Sequence, residues 1–147
     1  MEVSYTTYSF ADVSMVISHP SVGQFVATGA GLGSISTAMA QDRSAHDLSA
    51  DGSVMVSKIK GRNGNHTISV QQTSELNKWL LKLYNYLEQA PTSEWAGIKI
   101  TIRASAMQDL IRSTGVSFQK LPDKPFQAQG QQVSWVLMAA DIDQTVA

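Results

Sequence analysis

The sequence contains no cysteine, and its share of charged residues is low. Without cysteine, disulfide bonds and thiolate metal sites are excluded. Charged residues make up 16 % of the chain, well below the roughly 25 % that is typical of soluble globular proteins. A monomer that faces water on all sides usually carries more charge, so the deficit suggests that much of the surface contacts protein. The net charge of −1 also argues against a dedicated nucleic-acid binder, which carries a basic excess on one face.

Long hydrophobic runs and a signal sequence are also missing. The longest apolar runs are far shorter than the roughly 20 residues that span a bilayer. Met1 leads into Glu2 and a polar, aromatic run, without the basic and apolar stretches of a signal peptide. We therefore expect no membrane contact and an aqueous, cytoplasmic setting. A length of 147 residues fits one domain, which we expect to span residues 1–147.

The sequence has no recognisable set of catalytic or ligand-binding residues. Gly29 and Gly31 follow a predicted strand, but Ser34 stands where a dinucleotide-binding loop has its third glycine, and no helix is predicted there. The three histidines are scattered singly, and none has a partner at metal-ligand spacing. We therefore expect the protein not to be an enzyme and to bind no cofactor and no metal.

Alternating apolar residues predict strands over most of the chain. Residues 13–18 alternate with the period of a half-buried strand. The dipeptide Asn63-Gly64 is a strong hairpin signal, and it predicts that residues 53–60 pair with residues 65–72. Both faces of the strand predicted at 132–140 are apolar, which predicts that it is covered on both sides. Further strands are predicted at residues 24–28, 34–40, 98–103 and 116–118.

One helix is predicted at about residues 74–90, with Thr73 or Ser74 as its cap. Its apolar residues form one broad stripe at about 100° per residue, and its polar residues lie opposite. Leu81 is the exception, because it falls at the edge of the polar face. The predicted fold is α+β and mainly antiparallel β: a small β-sandwich or barrel with this one packed helix and a long polar loop at about residues 41–52.

The polar loop lies close in sequence to a run of basic residues. Its acidic residues are Asp42, Asp47 and Asp51. Unstructured loops of about twelve residues are uncommon in compact domains and usually functional. Lys58, Lys60 and Arg62 share one face of a predicted strand end. They could bind phosphate in a small nucleic-acid-binding module, protect a sheet edge, or contact the acidic loop of another copy. The first alternative predicts a DNA affinity that falls steeply with salt.

The stretch from Ser34 to Ser74 has a distinctive pattern. It combines a strand of small residues with the motifs Asp42-Arg43, His46-Asp47, Asp51-Gly52-Ser53-Val54 and Gly61-Arg62-Asn63-Gly64. With these residues it resembles the tail tube proteins of contractile-tailed bacteriophages, and the chain is compatible from about Tyr8 to Asp143. The resemblance implies a virion structural protein whose hexameric rings stack into a hollow tube inside a contractile sheath, and the genome passes through that tube.

The resemblance also implies partners and a location. Subunits would bind one another, the tail sheath protein, and baseplate and tail terminator proteins, while DNA would be only transient, non-specific cargo. The protein would be assembled in the host cytoplasm and remain in the phage tail. The predicted contacts between subunits and rings are Gln41, Asp42, Arg43, His46, Asp47, Asp51, Lys58, Lys60 and Arg62. An inner-tube subunit of a related bacterial secretion or bacteriocin system remains the alternative.

A conduit for DNA should be smooth and either uncharged or acidic. Phosphate contacts would add affinity, and aromatic side chains would stack with bases. Two predicted strand faces are small and uncharged, and we expect one or both to line the lumen: Ser36, Ala38, Ala40, Thr67, Ser69 and Gln71. The resemblance places the helix outside, with Lys78, Leu81, Lys82 and Asn85 as sheath-facing candidates.

Overall fold

Nine strands and one helix form within residues 2–29 and 31–146, the part of the chain that the computed structural model describes. The strands are β1 (Val13–His19), β2 (Gly23–Ala27), β3 (Leu32–Met39), β4 (Ser44–Leu48), β5 (Val54–Lys58), β6 (Gly64–Gln71), β7 (Ile98–Ala104), β8 (Asp109–Phe118) and β9 (Gln132–Val146). The helix α1 is Glu75–Gln89, and short 3₁₀ turns occupy Phe10–Asp12 and Thr92–Glu94. The α+β, mainly antiparallel fold predicted from the sequence is confirmed.

Seven of the strands form one antiparallel sheet in the order β2-β1-β7-β8-β9-β6-β3. The edge strands β2 and β3 lie at opposite ends of this order, yet only residues 28–31 join them. A flat sheet of this width would separate its edges by about 29 Å, whereas a link of this length reaches about 17 Å. The sheet therefore curls into a half-barrel, which brings its two edges together at the β2–β3 link.

The core fills the concave side of the half-barrel. Alternate residues of β1, β7, β8, β9 and β6 point inward, and α1 covers them with one apolar stripe. The buried residues of that stripe are Leu76, Leu80, Leu83 and Leu87. Trp135 is fully buried at the centre, and its indole N–H donates to Asn77 Oδ1 at 2.9 Å. The largest core side chain therefore has its one polar atom satisfied.

The start of α1 follows from its capping residue. Ser74 has extended backbone angles, and its hydroxyl accepts a hydrogen bond from the Asn77 amide at 3.1 Å. This contact satisfies one of the free amides of the first turn. Helix position and cap agree with the sequence prediction. Among the described residues, no helix has both the length and the hydrophobicity needed to cross a membrane.

The predicted pairing of residues 53–60 with 65–72 is wrong. β5 pairs with β4, from Ser44↔Lys58 to Leu48↔Val54, while β6 has β3 on one side and β9 on the other. Both edges of β6 are thus occupied, which leaves no place for β5. The segment 41–52 is accordingly not a continuous loop, because β4 lies within it.

Strands β3 to β6 form one long antiparallel hairpin. The pairing of β3 with β6 ends at Met39↔Gly64. The Ala40 amide then donates to the Asn63 carbonyl at 3.0 Å, and the Ile59 amide donates to the Arg43 carbonyl at 2.9 Å. These bonds join the sheet to the β4–β5 ribbon. We call this ribbon, residues 44–58, the arm.

The prediction that the strand at 132–140 is covered on both sides is also wrong. Val133, Trp135 and Leu137 are buried, but Met138 on the opposite face is 47 % exposed. That face belongs to the convex side of the half-barrel, opposite α1. We call this surface the convex face, and on β9 its residues Ser134, Met138 and Ala140 are exposed in the protomer.

Candidate functional site

The arm exposes apolar side chains, most of them on one of its two faces, while Met55 is exposed on the other. Leu48 pairs with Val54, and His46 pairs with Val56, so these four side chains lie on the same face. Leu48 is 71 % exposed and Val56 is 63 % exposed. Every residue of β4 and β5 is exposed in this protomer. A two-stranded ribbon of this kind is at best marginally stable alone in water.

The tip of the arm is held by one carboxylate. Asp51 accepts hydrogen bonds from the Ser49 hydroxyl, from the Ser53 amide at 3.0 Å and from the Ser53 hydroxyl at 2.7 Å. These bonds, that of Ser49 above all, hold the pKa of Asp51 well below its usual range. Gly52 takes a positive φ of 88° in this turn, a conformation that glycine adopts without strain. The tip is therefore a fixed, negatively charged turn.

The base of the arm is fastened to the sheet. Arg62 contacts Asp141 through two nitrogens, at 2.7 and 2.9 Å, and Asp143 at 3.5 Å. The hydrogen bond and charge of Asp141 raise the pKa of Arg62. The Ile142 amide donates to the Arg62 carbonyl at 2.7 Å. Arg43 adds a bond from its Nε to the Ile59 carbonyl at 2.8 Å.

The predicted basic stripe is not one strand face. Lys58 ends β5, whereas Lys60 and Arg62 lie in the irregular segment that leads back to β6. Arg62 is engaged by two carboxylates, so it is not available as a simple phosphate contact. The other predicted contact residues, Gln41, Asp42, Arg43, His46, Asp47 and Asp51, are exposed on the arm or at its base.

The predicted lumen-lining residues gather on the convex face, with one exception. Ser36 pairs with Thr67 across β3 and β6, and Ala38 pairs with Asn65, so their side chains share a face. Ser69 and Gln71 continue this row along β6, on the side opposite the buried Ile68 and Val70. Ala40 lies beyond the end of β3, between the sheet and the arm.

Strand β9 extends the same surface, which sequence reasoning missed. Ser134 lies beside Ser69, with 3.1 Å between their hydroxyl oxygens. Val136 and Met138 follow on the same side. The alternation in residues 132–140 indicates two strand faces, but because the outer face is also apolar, the sequence predicts that it is buried. Across β3, β6 and β9 up to Ala140, the convex face carries no charged side chain.

The other half of the convex face is basic. Lys99 and Arg103 lie on β7, on the side opposite the buried Ile100 and Ile102. Arg112 on β8 pairs with Thr101 between them. The convex face thus has an uncharged half on β3, β6 and β9 up to Ala140, and three basic residues on β7 and β8, where Arg112 pairs with Asp143 of β9.

The exposed side of α1 matches its prediction except at Leu81. Lys78, Lys82 and Asn85 are exposed, and Lys78 Nζ lies 3.4 Å from Glu75 Oε1. Leu81 is half-buried and packs against the core, so it offers less surface to a partner than its helical position predicts.

Two buried histidines have structural partners. His66 bridges Thr37 Oγ1 at 2.9 Å and Ser113 Oγ at 2.5 Å, and its burial lowers its pKa to about 4. His19 Nδ1 accepts from the Ser21 amide at 3.1 Å. Within residues 2–29 and 31–146, no group of three or more histidine, aspartate or glutamate side chains is placed to hold a metal ion.

Comparison with known proteins gives one family and a set of similar structures. The model of the family described as "Bacteriophage PhiTE tail tube protein" matches residues 5–147. No curated protein matches the sequence.

The similar structures come from contractile assemblies. A chain from the "PVC sheath-tube complex in extended state" of an extracellular contractile injection system is 13 % identical, with a TM-score of 0.58, over 90 % of this chain and 88 % of that one. A chain from the "anti-feeding prophage cap (AFP tube terminating cap)" is 12 % identical, with a TM-score of 0.60, over 100 % and 95 %. A chain from the "PVC sheath/tube terminator in extended state" is 11 % identical, with a TM-score of 0.60, over 98 % and 99 %. At these identities the similarity is one of fold.

Proposed function

Because this chain belongs to the bacteriophage PhiTE tail tube protein family, and is thus a structural subunit of a phage tail tube, we propose that its copies close into hexameric rings that stack into the conduit for the genome. The whole chain, residues 1–147, would act as one tube domain. Subunits would assemble in the host cytoplasm and remain in the tail of the virion. No catalytic step is needed for this role.

The uncovered arm is the observation that carries the proposal of self-assembly. Its apolar face has no covering element in the protomer, and apolar burial contributes about 25 cal/mol per Å². A partner that covers Leu48, Val54 and Val56 would therefore stabilise both the arm and the assembly. Identical neighbours suit this role, because a heterologous contact closes a ring or continues as a stack. The contact residues predicted on the arm and its base fit the same surface.

The names of the similar structures suggest the further partners. They describe sheath-tube, cap, terminator and baseplate components of contractile systems. We infer that this subunit contacts a sheath protein around the tube, with terminator and baseplate proteins at its two ends. The exposed side of α1, with Lys78, Lys82 and Asn85, is the surface proposed to face the sheath, and the half-buried Leu81 would contribute its exposed edge.

The uncharged half of the convex face is the proposed wall of the lumen. Its small hydroxyl and methyl side chains offer neither cations to phosphates nor aromatic rings to bases. Ser36, Ala38, Thr67, Ser69 and Gln71 would line the wall, with Ser134 of β9 beside them. Ala40 would lie at the edge of this wall, where the arm begins. In this arrangement α1 lies outward, on the other side of the sheet.

Genome ejection tests the assignment of the lumen. The double variant Ser36→Lys, Ser69→Lys would place two cations per subunit on the wall, and we expect ejection to slow several-fold because the wall would hold phosphates. The matched control is Gln89→Lys, Thr92→Lys, which adds the same charge at exposed positions at the end of α1 and just after it, outside the residues proposed to face the sheath. The measurement is the rate of DNA release from triggered particles whose sheaths contract normally in micrographs. If both variants eject at the wild-type rate, these strands do not line the lumen.

A second candidate is supported by the similar structures, several of which come from extracellular contractile injection systems and an anti-feeding prophage. A tube of that type has the same architecture but is not part of a virion. Purified native particles distinguish the two candidates: a capsid and packaged DNA support the phage tail, and capsid-free particles support the injection-type tube.

A further inference from the structure

Strand β3 has a free edge without the usual protection. It pairs with β6 on one side, and within residues 2–29 and 31–146 no strand pairs with its other side. Edge strands are commonly protected by charged residues, proline or bulges. Residues 34–39 contain no charged residue and no proline, and the one irregularity in the pairing precedes them, between Leu32 and Ser34. The edge is therefore suited to accept another strand.

An apolar groove lies beside this edge on the concave side. It has a volume of about 280 Å³ and lies between Ile35 of β3 and Val13 of β1. Its other apolar lining includes Ile102, Ala104 and Ile111. The pairing of β2 with β1 begins only at Met15, so β2 does not cover Val13. The half-barrel is thus open between β1 and β3, at the end from which the arm extends.

The amino-terminal segment, residues 2–9, has the properties of a strand without a partner. It forms no regular element, and all its side chains are exposed, with Val3 at 80 % and Tyr5 at 82 %. Its valine, threonines and tyrosines favour strands, and after Glu2 it is uncharged. A stretch of six residues spans about 20 Å as a strand, the same length as residues 34–39 of β3.

We propose that the amino-terminal segment of one subunit adds as a strand to the free β3 edge of a neighbouring subunit. This is β-strand addition, in which main-chain hydrogen bonds give affinity and a side-chain pocket sets the register. Val3, Tyr5 and Thr7 would point into the groove, and Ser4 and Thr6 would lie on the convex side. The inference rests on the proposed function, because it names a joint between copies of this chain.

We assign the added strand to a second copy, because in the protomer the amino-terminal segment does not pair with its own β3 edge. Tyr8 and Phe10 reach the mouth of their own groove, yet Tyr8 remains 64 % exposed and Val3 and Tyr5 more so. The 3₁₀ turn at Phe10–Asp12 directs the chain into β1, and among the described residues the segment before it pairs with no strand of its own subunit. If each subunit of a ring donated its amino-terminal segment to the next subunit, no β3 edge in the ring would remain free.

Cysteine cross-linking tests the joint, because the chain has no cysteine of its own. Subunits with Thr6→Cys are mixed with subunits that carry Ser34→Cys, Ser36→Cys or Ala38→Cys, assembled and oxidised. Paired strands bring Cα atoms within about 4.5–5.5 Å, inside the range for a disulfide. The control partner is Ser134→Cys, an exposed serine of the convex face on β9, which β6 separates from β3. We expect mixed dimers with at least one β3 position and none with Ser134→Cys.

The outcomes separate this inference from the proposed function. Rings or tubes in micrographs without any cross-link to β3, or with equal cross-linking to Ser134→Cys, would overturn the joint and leave the tube function intact. A disulfide within one chain in the double variant Thr6→Cys, Ser36→Cys, at a dilution that keeps subunits monomeric, would show that the segment closes its own edge and would also overturn it. If no rings or tubes form under any condition, both proposals fail.

Discussion

His66 links three strands through polar contacts inside an apolar core. It lies on β6 and contacts hydroxyls on β3 and β8. Its ring is fully buried, and burial lowers its pKa to about 4 from the ordinary value of 6.5. A buried imidazole of this kind is neutral at pH 7, because the charged form loses its hydration. Protonation of His66 in the folded protein therefore costs free energy, because it would bury a charge.

This residue makes stability dependent on pH. Above pH 6.5 the ring is neutral in both the folded and the unfolded chain. Between pH 6.5 and about 4 the unfolded chain binds a proton that the folded chain does not, so the free energy of unfolding falls as the pH falls. At about 1.4 kcal/mol per pKa unit, the loss from this one group reaches about 3 kcal/mol.

Urea denaturation at pH 7 and pH 4.5 measures this effect on unassembled subunits. His66→Gln keeps hydrogen-bonding capacity but does not titrate, so we expect lower stability at pH 7 and a smaller loss on acidification than in the wild type. His46→Gln is the control, because His46 is exposed and should leave the pH dependence as in the wild type. Parallel pH profiles for wild type and His66→Gln would contradict the prediction.

Among the elements, the arm differs most from the rest of the fold. The seven-stranded sheet has a buried face, whereas β4 and β5 have none. Local stability follows buried apolar contacts, so an uncovered ribbon opens more often than the sheet. In a tube, the proposed neighbour would cover the arm and its opening would become rare.

Hydrogen exchange measures this difference. We expect the paired amides of Ser44–Leu48 and Val54–Lys58 to exchange quickly in isolated subunits and at least tenfold more slowly in tubes, a change of about 1.4 kcal/mol in opening free energy. Residues 137–139 of β9, which pair with both β6 and β8 in the protomer, serve as the internal control and should be protected in both samples. An arm that exchanges equally fast in subunits and tubes would show that no neighbour covers it.

Elements with one buried face could be predicted from the sequence. β1 and β7 alternate because one side faces the core, and α1 has a single apolar stripe and a serine cap. β4 has no such signal, since all five of its residues are exposed and nothing selects a period. The pairing of β5 failed for a different reason. Asn63-Gly64 is a local turn signal, but the partners of β6 are decided by strands far along the chain.

The candidate surfaces, like the strands and the helix, could be predicted from the sequence only where they depend on local alternation. The small side chains of Ser36 and Ala38, and those of Thr67 and Ser69, alternate with larger neighbours, so each strand face followed from periodicity. That the two faces lie side by side depends on the pairing of β3 with β6, which was not predicted. Their contact with Ser134 depends on β9 lying beside β6, which sequence spacing does not contain. Arg62 contacts Asp141 and Asp143, which lie about eighty positions away in the sequence. Sequence spacing does not show this contact, so Arg62 was grouped with Lys58 and Lys60 in a basic stripe although it is a structural residue.

For the whole molecule, charge on the arm and at its base should control how subunits stack. Exposed complementary charges fix register and assembly rate more than affinity. Asp42→Lys with Asp47→Lys reverses two exposed charges and leaves Asp51, which builds the tip, in place. We expect folded subunits that form shorter tubes at equal concentration.

Negative-stain microscopy measures tube length in that experiment, and circular dichroism confirms folding. Asp12→Lys with Asp123→Lys makes the same change in net charge at exposed positions outside the arm and is the matched control. Equal tube lengths in all three proteins would rule out a role for the arm charges in stacking.

The attachment of the arm at Arg62 also has a mechanical consequence. The segment that leads from the arm back to β6 is bonded to β9 by an ion pair and a main-chain hydrogen bond, at 2.7 Å each. Strand β9 in turn pairs with β6 over residues 132–139 and with β8 over residues 137–146. A pulling force on the tip therefore enters the middle of the sheet as shear, distributed over many bonds that must break together. Had the arm been attached only through the edge strand β3, the same force would have unzipped the sheet one bond at a time.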